Sequence, residues 1–176
     1  MQEPDRQPTL RGECVTLRPS TPADWDALFA IASDRLLWEV HPAHDRWQEP
    51  VFRAYFDAGL ASGGALTIID RATDRIIGSS RYDNWKPQAD EIEIGWTYLS
   101  RAYWGGAYNR EIKALMLDHI HRFVGTAVFT VGEGNVRSRR AMEKIGGSLR
   151  PGTELRLMAG EMKPHVIYEI RRRGVA

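Results

Sequence analysis

From Glu91 to Lys113 the chain reads Glu-Ile-Glu-Ile-Gly-Trp-Thr-Tyr-Leu-Ser-Arg-Ala-Tyr-Trp-Gly-Gly-Ala-Tyr-Asn-Arg-Glu-Ile-Lys. An alternating strand passes through a glycine-containing turn into an amphipathic helix. This order restricts the fold to one in which a helix starts at the end of a strand. It also builds an anion site, because backbone N–H groups freed at Gly105 to Asn109 and the positive end of the helix converge on one point. A phosphate or pyrophosphate is the natural occupant, so a phosphorylated cofactor is expected.

The flanking periodicities extend the pattern. Cys14 to Arg18 has the β-branched character of a short strand. Ser20-Thr-Pro-Ala-Asp24 is a helix start, with Thr21 as cap and Pro22 in the first turn. Phe52, Tyr55, Phe56 and Leu60 lie at helical spacing in a segment ended by Ser62-Gly-Gly64. The period then falls to two over 65–70, 76–82 and 91–99, with a turn at 72–75. A helix over 108–123 carries an apolar stripe of Ile112, Leu115, Met116, Ile120 and Phe123. A strand at 126–131, a helix at 136–145 starting from Asn135, and a last β pair within 148–158 and 165–171 complete the order. Hairpin-linked strands mixed with helical crossovers imply a mixed sheet with helices on both faces.

A chain of 176 residues with 43% hydrophobic content supports one core, so a single domain over 1–176 is expected, with 1–10 as a flexible, proline-containing lead-in. Twenty-four basic residues against 23 acidic ones leave a net charge of +1, which argues against nucleic acid or an anionic membrane as partner. The single cysteine, Cys14, makes no internal disulfide and points to a reducing compartment. No apolar run approaches the ~20 residues of a membrane span, and the amino terminus has no secretory core. The expected location is the cytoplasm. His41-Pro-Ala-His44 lacks the further ligands a metal needs, so no metal is expected.

The residues resemble the GCN5-related N-acetyltransferase (GNAT) family, and within it the branch of ribosomal-protein N-terminal acetyltransferases. The resemblance runs from Val15 to about Ile170. It rests on Ile77-Gly-Ser-Ser80, Glu93-Ile-Gly-Trp96, Tyr103-Trp-Gly-Gly-Ala-Tyr108 and Asn135-Val-Arg-Ser-Arg-Arg-Ala-Met-Glu-Lys-Ile-Gly146. It implies an α/β (α+β) acyl-CoA N-acyltransferase fold, a mixed and mostly antiparallel twisted sheet of about seven strands. It also implies acetyl transfer from acetyl-CoA, as cosubstrate, to a primary amine of a protein N-terminus or a small molecule.

The family's cofactor loop, Gln/Arg-x-x-Gly-x-Gly/Ala, aligns with Trp104 in the first place, Ala107 in the fourth and Asn109 in the sixth. Two small-residue positions are therefore changed. The cofactor-binding positions that the resemblance implies are Thr97, Tyr98, Leu99, Trp104, Gly105, Gly106, Ala107, Tyr108, Asn109, Arg110 and Asn135.

Direct transfer makes three demands. The amine must be neutral to attack, although α-amino and lysine amines have pKa values of about 8 and about 10.4. Glu93 occupies the family's glutamate position for this task, and Glu91, on the same strand face, is expected to raise the pKa of one of the pair. The oxyanion needs a free strand N–H, expected at Thr97 to Leu99 beside a bulge. The leaving thiolate needs a proton donor; Met142 stands where many members carry tyrosine, and Ser138 is the substitute in the branch this chain resembles.

Of Arg110, Lys113, Arg137, Arg139 and Arg140, one or two are expected to reach phosphates, the rest being solvated or paired with Glu111 and Glu143. Trp25 and Trp96 are expected in the core. Trp38, Trp47 and Trp85 are expected in loops near the acceptor, with an aromatic acceptor site and a packed lid both open. The alternative to an enzyme is a non-catalytic CoA-binding module of the same fold, suggested by Ala107, Asn109 and Met142. The amine acceptor and the oligomeric state, a homodimer included, stay open.

Overall fold

The protein's structure, a computed structural model, describes residues 2–173; Met1 of the expected lead-in and residues 174–176 of the expected domain lie outside them. Nine strands form one sheet: β1 (Leu10–Arg11), β2 (Val15–Pro19), β3 (Ala65–Asp70), β4 (Arg75–Lys86), β5 (Glu91–Leu99), β6 (Thr126–Gly132), β7 (Ser148–Leu149), β8 (Glu154–Met158) and β9 (Glu161–Arg171). The spatial order is β1-β2-β3-β4-β5-β6-β9, with β7 and β8 both paired to β9. Every pairing is antiparallel except β5 with β6. The strands outnumber the expected seven because β1 is added and the segment 148–158 divides into two short strands around Arg150-Pro-Gly152.

Four helices flank the sheet: α1 (Trp25–Ala32), α2 (Glu49–Ser62), α3 (Ala107–Ile120) and α4 (Val136–Lys144). The α3 stripe Ile112, Met116 and Ile120 is fully buried against Ile92, Ile94, Ala127 and Phe129, and Met142 of α4 joins the same cluster. Burying each such side chain contributes about 2 kcal/mol. On the opposite face Leu28, Ala32, Leu37, Trp38, Phe52, Phe56 and Tyr98 form a second, aromatic-rich core. Gly63, at φ 66°, ends α2 in the left-handed conformation.

The structure gives the lead-in contacts with the rest of the chain, and one expectation about the tryptophans gives way. The lead-in is laid down on the protein: Pro4 and Pro8 are buried, Asp5 O bonds the His119 ring at 2.8 Å, and Arg6 Nη1 donates to Ser62 O at 3.0 Å. Trp38 is not in a polar loop. It closes a short 3-10 turn, is 2% exposed, and donates from Nε1 to Ala32 O at 2.8 Å. Trp85 likewise lies within β4. Trp38 also packs on Tyr98 of β5, with ring centres 5.5 Å apart, a contact across the fold that local polarity does not reveal.

Candidate active site

The site is made where β5 leaves β6. The two strands pair at Glu91–Thr126, Ile92–Ala127 and Glu93–Val128, and then part. On its other edge β5 stays on β4, but the register steps from Arg81–Gly95 to Ser79–Tyr98, so Ser80 faces both Trp96 and Thr97. This is a bulge, with Trp96 at φ 53°. A non-glycine residue there costs on the order of 1–3 kcal/mol unless its surroundings hold it. Tyr55 does so, donating its hydroxyl to Trp96 O at 2.5 Å, and the Arg81 guanidinium lies over the indole at 4.8 Å from the ring centre.

The bulge resets which residues face which side. Before it Ile92 and Ile94 point towards α3, and after it Leu99 joins that core while Tyr98 enters the other. Thr97 therefore points to the α3 side, while Glu91 and Glu93 point away from it. Backbone directions follow from Ser100, whose N–H donates to Ile77 O at 2.8 Å on the β4 side. By alternation Tyr98 N–H also faces β4, whereas Thr97 and Leu99 turn their N–H groups to the parted side. Of the expected oxyanion donors, Thr97 and Leu99 are geometrically open and Tyr98 is not.

At the end of β5 the turn reaches α3 through Gly105, at φ 72°, and Gly106, which occupies the N-cap position with no side chain to cap the helix. Among the described residues the N–H groups from Gly106 to Asn109 thus have no side-chain partner, and a Cβ built on Gly105 or Gly106 meets nothing within 4 Å. Uncapped donors at a helix start are of the kind that suits a pyrophosphate. Tyr108 and Tyr103 anchor the turn by donating to Asp70 at 3.0 and 3.4 Å. Trp104 is folded back, its Nε1 donating to Leu99 O at 3.0 Å and its ring lying 3.9 Å from the Arg137 guanidinium. Arg110 is exposed.

Asn135 is buried and caps α4, its Oδ1 accepting the Ser138 N–H at 3.2 Å. Ser138 is half-buried, and among the described residues its hydroxyl makes no hydrogen bond. Glu111 and Glu143 do not pair with the neighbouring arginines: Glu111 accepts the N–H groups of Glu13, Cys14 and Val15, and Glu143 accepts the Tyr168 hydroxyl.

Glu93 is 3% exposed, and both its oxygens are engaged. Arg156 of β8 bonds them at 2.9 and 3.0 Å, and Asn84 Nδ2 donates to Oε2 at 2.7 Å. Glu91 corrects an expectation. Burial works to raise its pKa, but hydrogen bonds and charge from Arg150 and Lys86 outweigh it, so the carboxyl is held below its ordinary value. The two glutamates do share a face, yet cations brought by β8, β4 and the β7–β8 turn neutralise the repulsion expected between them.

Lys113 is the residue the sequence reading misplaced. It is 4% exposed on α3, donates from Nζ to Thr97 Oγ1 at 2.7 Å, and lies 5.5 Å from the Phe129 ring centre. Thr97 Oγ1 is in turn 2.8 Å from Ser80 Oγ. The amine thus sits between β5 and β6 on the α3 side, and burial pushes its pKa down to about 7. A clue was present, since Lys113 falls inside the Ile112–Met116–Ile120 stripe.

The family model described as "Acetyltransferase (GNAT) domain" matches residues 15–148. The chain belongs to the GNAT acetyltransferase family, whose members take the acetyl group from acetyl-CoA. No curated protein sequence matches. Among solved structures, the acetyltransferase from Agrobacterium tumefaciens is 29% identical, with a TM-score of 0.68 over 94% of this chain and 95% of its own. A GCN5-related N-acetyltransferase from Brucella melitensis is 22% identical, with a TM-score of 0.79 over 97% of this chain and 80% of its own. The microcin C7 self-immunity acetyltransferase MccE, solved with acetyl-CoA and AMP, is 11% identical, with a TM-score of 0.76 over 92% of this chain and 94% of its own. Among the described residues no helix is long and apolar enough to cross a membrane, and no three His, Cys, Asp or Glu side chains cluster as metal ligands.

Proposed function

We propose that the protein transfers an acetyl group from acetyl-CoA to a primary amine by direct attack. The observation that carries this reading is the parting of β5 from β6 just beyond Glu93, in line with the uncapped start of α3. Amides from Gly106 to Asn109 hold the pyrophosphate. Acetyl-CoA supplies the activated thioester. The N–H groups of Thr97 and Leu99 are the oxyanion donors.

The amine approaches from the Glu93 face. Its incoming ammonium competes with Arg156 for the carboxylate, one cation replacing another, and Glu93 then accepts the proton directly or through water. As the C–S bond breaks, the open hydroxyl of Ser138 gives its proton to the departing thiolate and is reprotonated through water by the second proton that the attacking nitrogen releases. The non-catalytic module is the second reading, favoured by the full engagement of Glu93 with Arg156 and Asn84.

Thiol release measured across a panel of amines separates the two. The enzyme reading expects turnover that falls by at least about a hundredfold, the low end of a general base's contribution, in Glu93→Gln, with a further loss in Ser138→Ala. Tight coenzyme binding without turnover of any amine would establish the module instead.

A further inference from the structure

On the Glu93 face a cationic and aromatic cluster lies beside the bulge, and none of the steps above uses it. Arg46, in the segment before α2, is half-buried, with its guanidinium 4.3 Å from the ring centre of Tyr55 and 5.1 Å from that of Trp38. Among the described residues it makes no ion pair and no side-chain hydrogen bond. Arg81 stands on the other side of Tyr55, its guanidinium 5.5 Å from the ring centre and the residue 6% exposed. Its Nη1 lies 3.5 Å from Asp83 and its Nη2 donates to Tyr55 O at 3.3 Å, but its Nε is buried without a partner, as is the hydroxyl of Tyr98.

His41 packs edge-on against Trp38 at 5.5 Å. Its Nδ1 accepts the Ala43 N–H at 3.0 Å, which leaves the ring proton on Nε2 as a donor. Burial, with Arg46, Arg137 and His165 nearby, holds the ring neutral, its pKa pushed down to about 3. The acidic groups here are Asp83, on Arg81, and Asp45, next to Arg46 in the chain, whose charge favours the Arg46 cation although the two form no ion pair and Asp45 Oδ1 is buried without a hydrogen bond. The cluster therefore holds unused donors and one guanidinium that makes no ion pair among the described residues. Its hydrogen-bonding fork stays free for a ligand.

Arg81 also fixes where this cluster lies. It pairs opposite Gly95, and Asp83 opposite Glu93, so the cluster shares the strand face from which the amine approaches. Building on the acetyltransferase reading, we infer that the acceptor amine carries an anionic group, a carboxylate or a phosphate monoester, bound by Arg46 between Tyr55 and Trp38 with Arg81 and His41 as further donors. A planar guanidinium held on aromatic faces is suited to forked bonding of either oxyanion.

The test uses matched pairs: ω-amino acids against their amides, and aminoalkyl phosphates against the corresponding amino alcohols. Thiol release is measured with acetyl-CoA, and calorimetric binding with CoA present, for the wild type, Arg46→Met and Arg46→Lys, each checked for folding by its thermal transition. The expected result is a preference of at least about tenfold for the anionic member of one series, the loss typical of a charged hydrogen bond. The preference should be abolished in Arg46→Met and partly restored in Arg46→Lys, with the KM for acetyl-CoA unchanged.

The carboxylate and phosphate series show which anion is meant. Equal use of both members of every pair, a preference that survives Arg46→Met, or no binding by any anionic amine would overturn the inference. Arg46-dependent binding without thiol release would support the anion site while overturning the catalytic reading.

Discussion

Lys113 shows at a single residue how packing sets charge. An amine with its pKa lowered by burial is charged in both folded and unfolded states below about pH 7, and there the folded state bears the full cost of desolvating it. From about 7 to the ordinary lysine value of 10.5 the folded state has lost the proton and the unfolded state keeps it, so this group's contribution to stability rises with pH. Lys113→Met should therefore stabilise the protein by a few kcal/mol at about pH 6, with the gain shrinking towards about pH 9.5. Urea denaturation at the two pH values measures this, and an equal effect at both would contradict a desolvated amine. Periodicity in the sequence marks Lys113 as facing inward, but the absence of any carboxylate around it is a property of packing. Glu91 teaches the same lesson with the opposite sign, because Arg150, Lys86 and the sheet decide its charge.

At the scale of the element, the turn into α3 was legible because its geometry is local. Two glycines, one with positive φ, followed by an amphipathic stripe specify a helix start with open amides. The two departures from the family's loop prove compatible with this shape: Ala107 is the first residue of α3, and Asn109 lies within its first turn. Gly105→Val should strain the turn at a cost on the order of 1–3 kcal/mol. It should raise the KM for acetyl-CoA by more than it lowers kcat, because in the proposed mode of binding the amides it displaces contact the phosphates and not the reacting carbon. Steady-state kinetics with acetyl-CoA varied provide the check, and a kcat effect with unchanged KM would place the pyrophosphate elsewhere. The bulge in β5 is less legible. Glu93 and Thr97 share a face by the two-residue period, yet the extra residue at Trp96 puts them on opposite sides of the sheet.

For the whole molecule, CoA bound to the native state alone should raise the thermal transition. At about a hundredfold excess over Kd the stabilisation is about 2.7 kcal/mol, or roughly 5–10 °C for a chain of this size. Glu93→Gln should show the same shift, since the proposed phosphate site at the start of α3 lies beyond the far end of β5. Differential scanning fluorimetry with and without CoA tests this, and a flat response would argue against that site.

Composition, periodicity and turn chemistry by themselves determined the order of the main elements, the two-faced sheet and the glycine turn into α3, since each follows from interactions between near neighbours in the chain. Tertiary structure alone decided that β5 parts from β6 after Glu93, that Arg156 pairs with Glu93, that Lys113 is desolvated and that Arg46 makes no ion pair among the described residues. Those outcomes depend on which distant segments meet, and charge and solvation at a buried atom are set by everything packed around it.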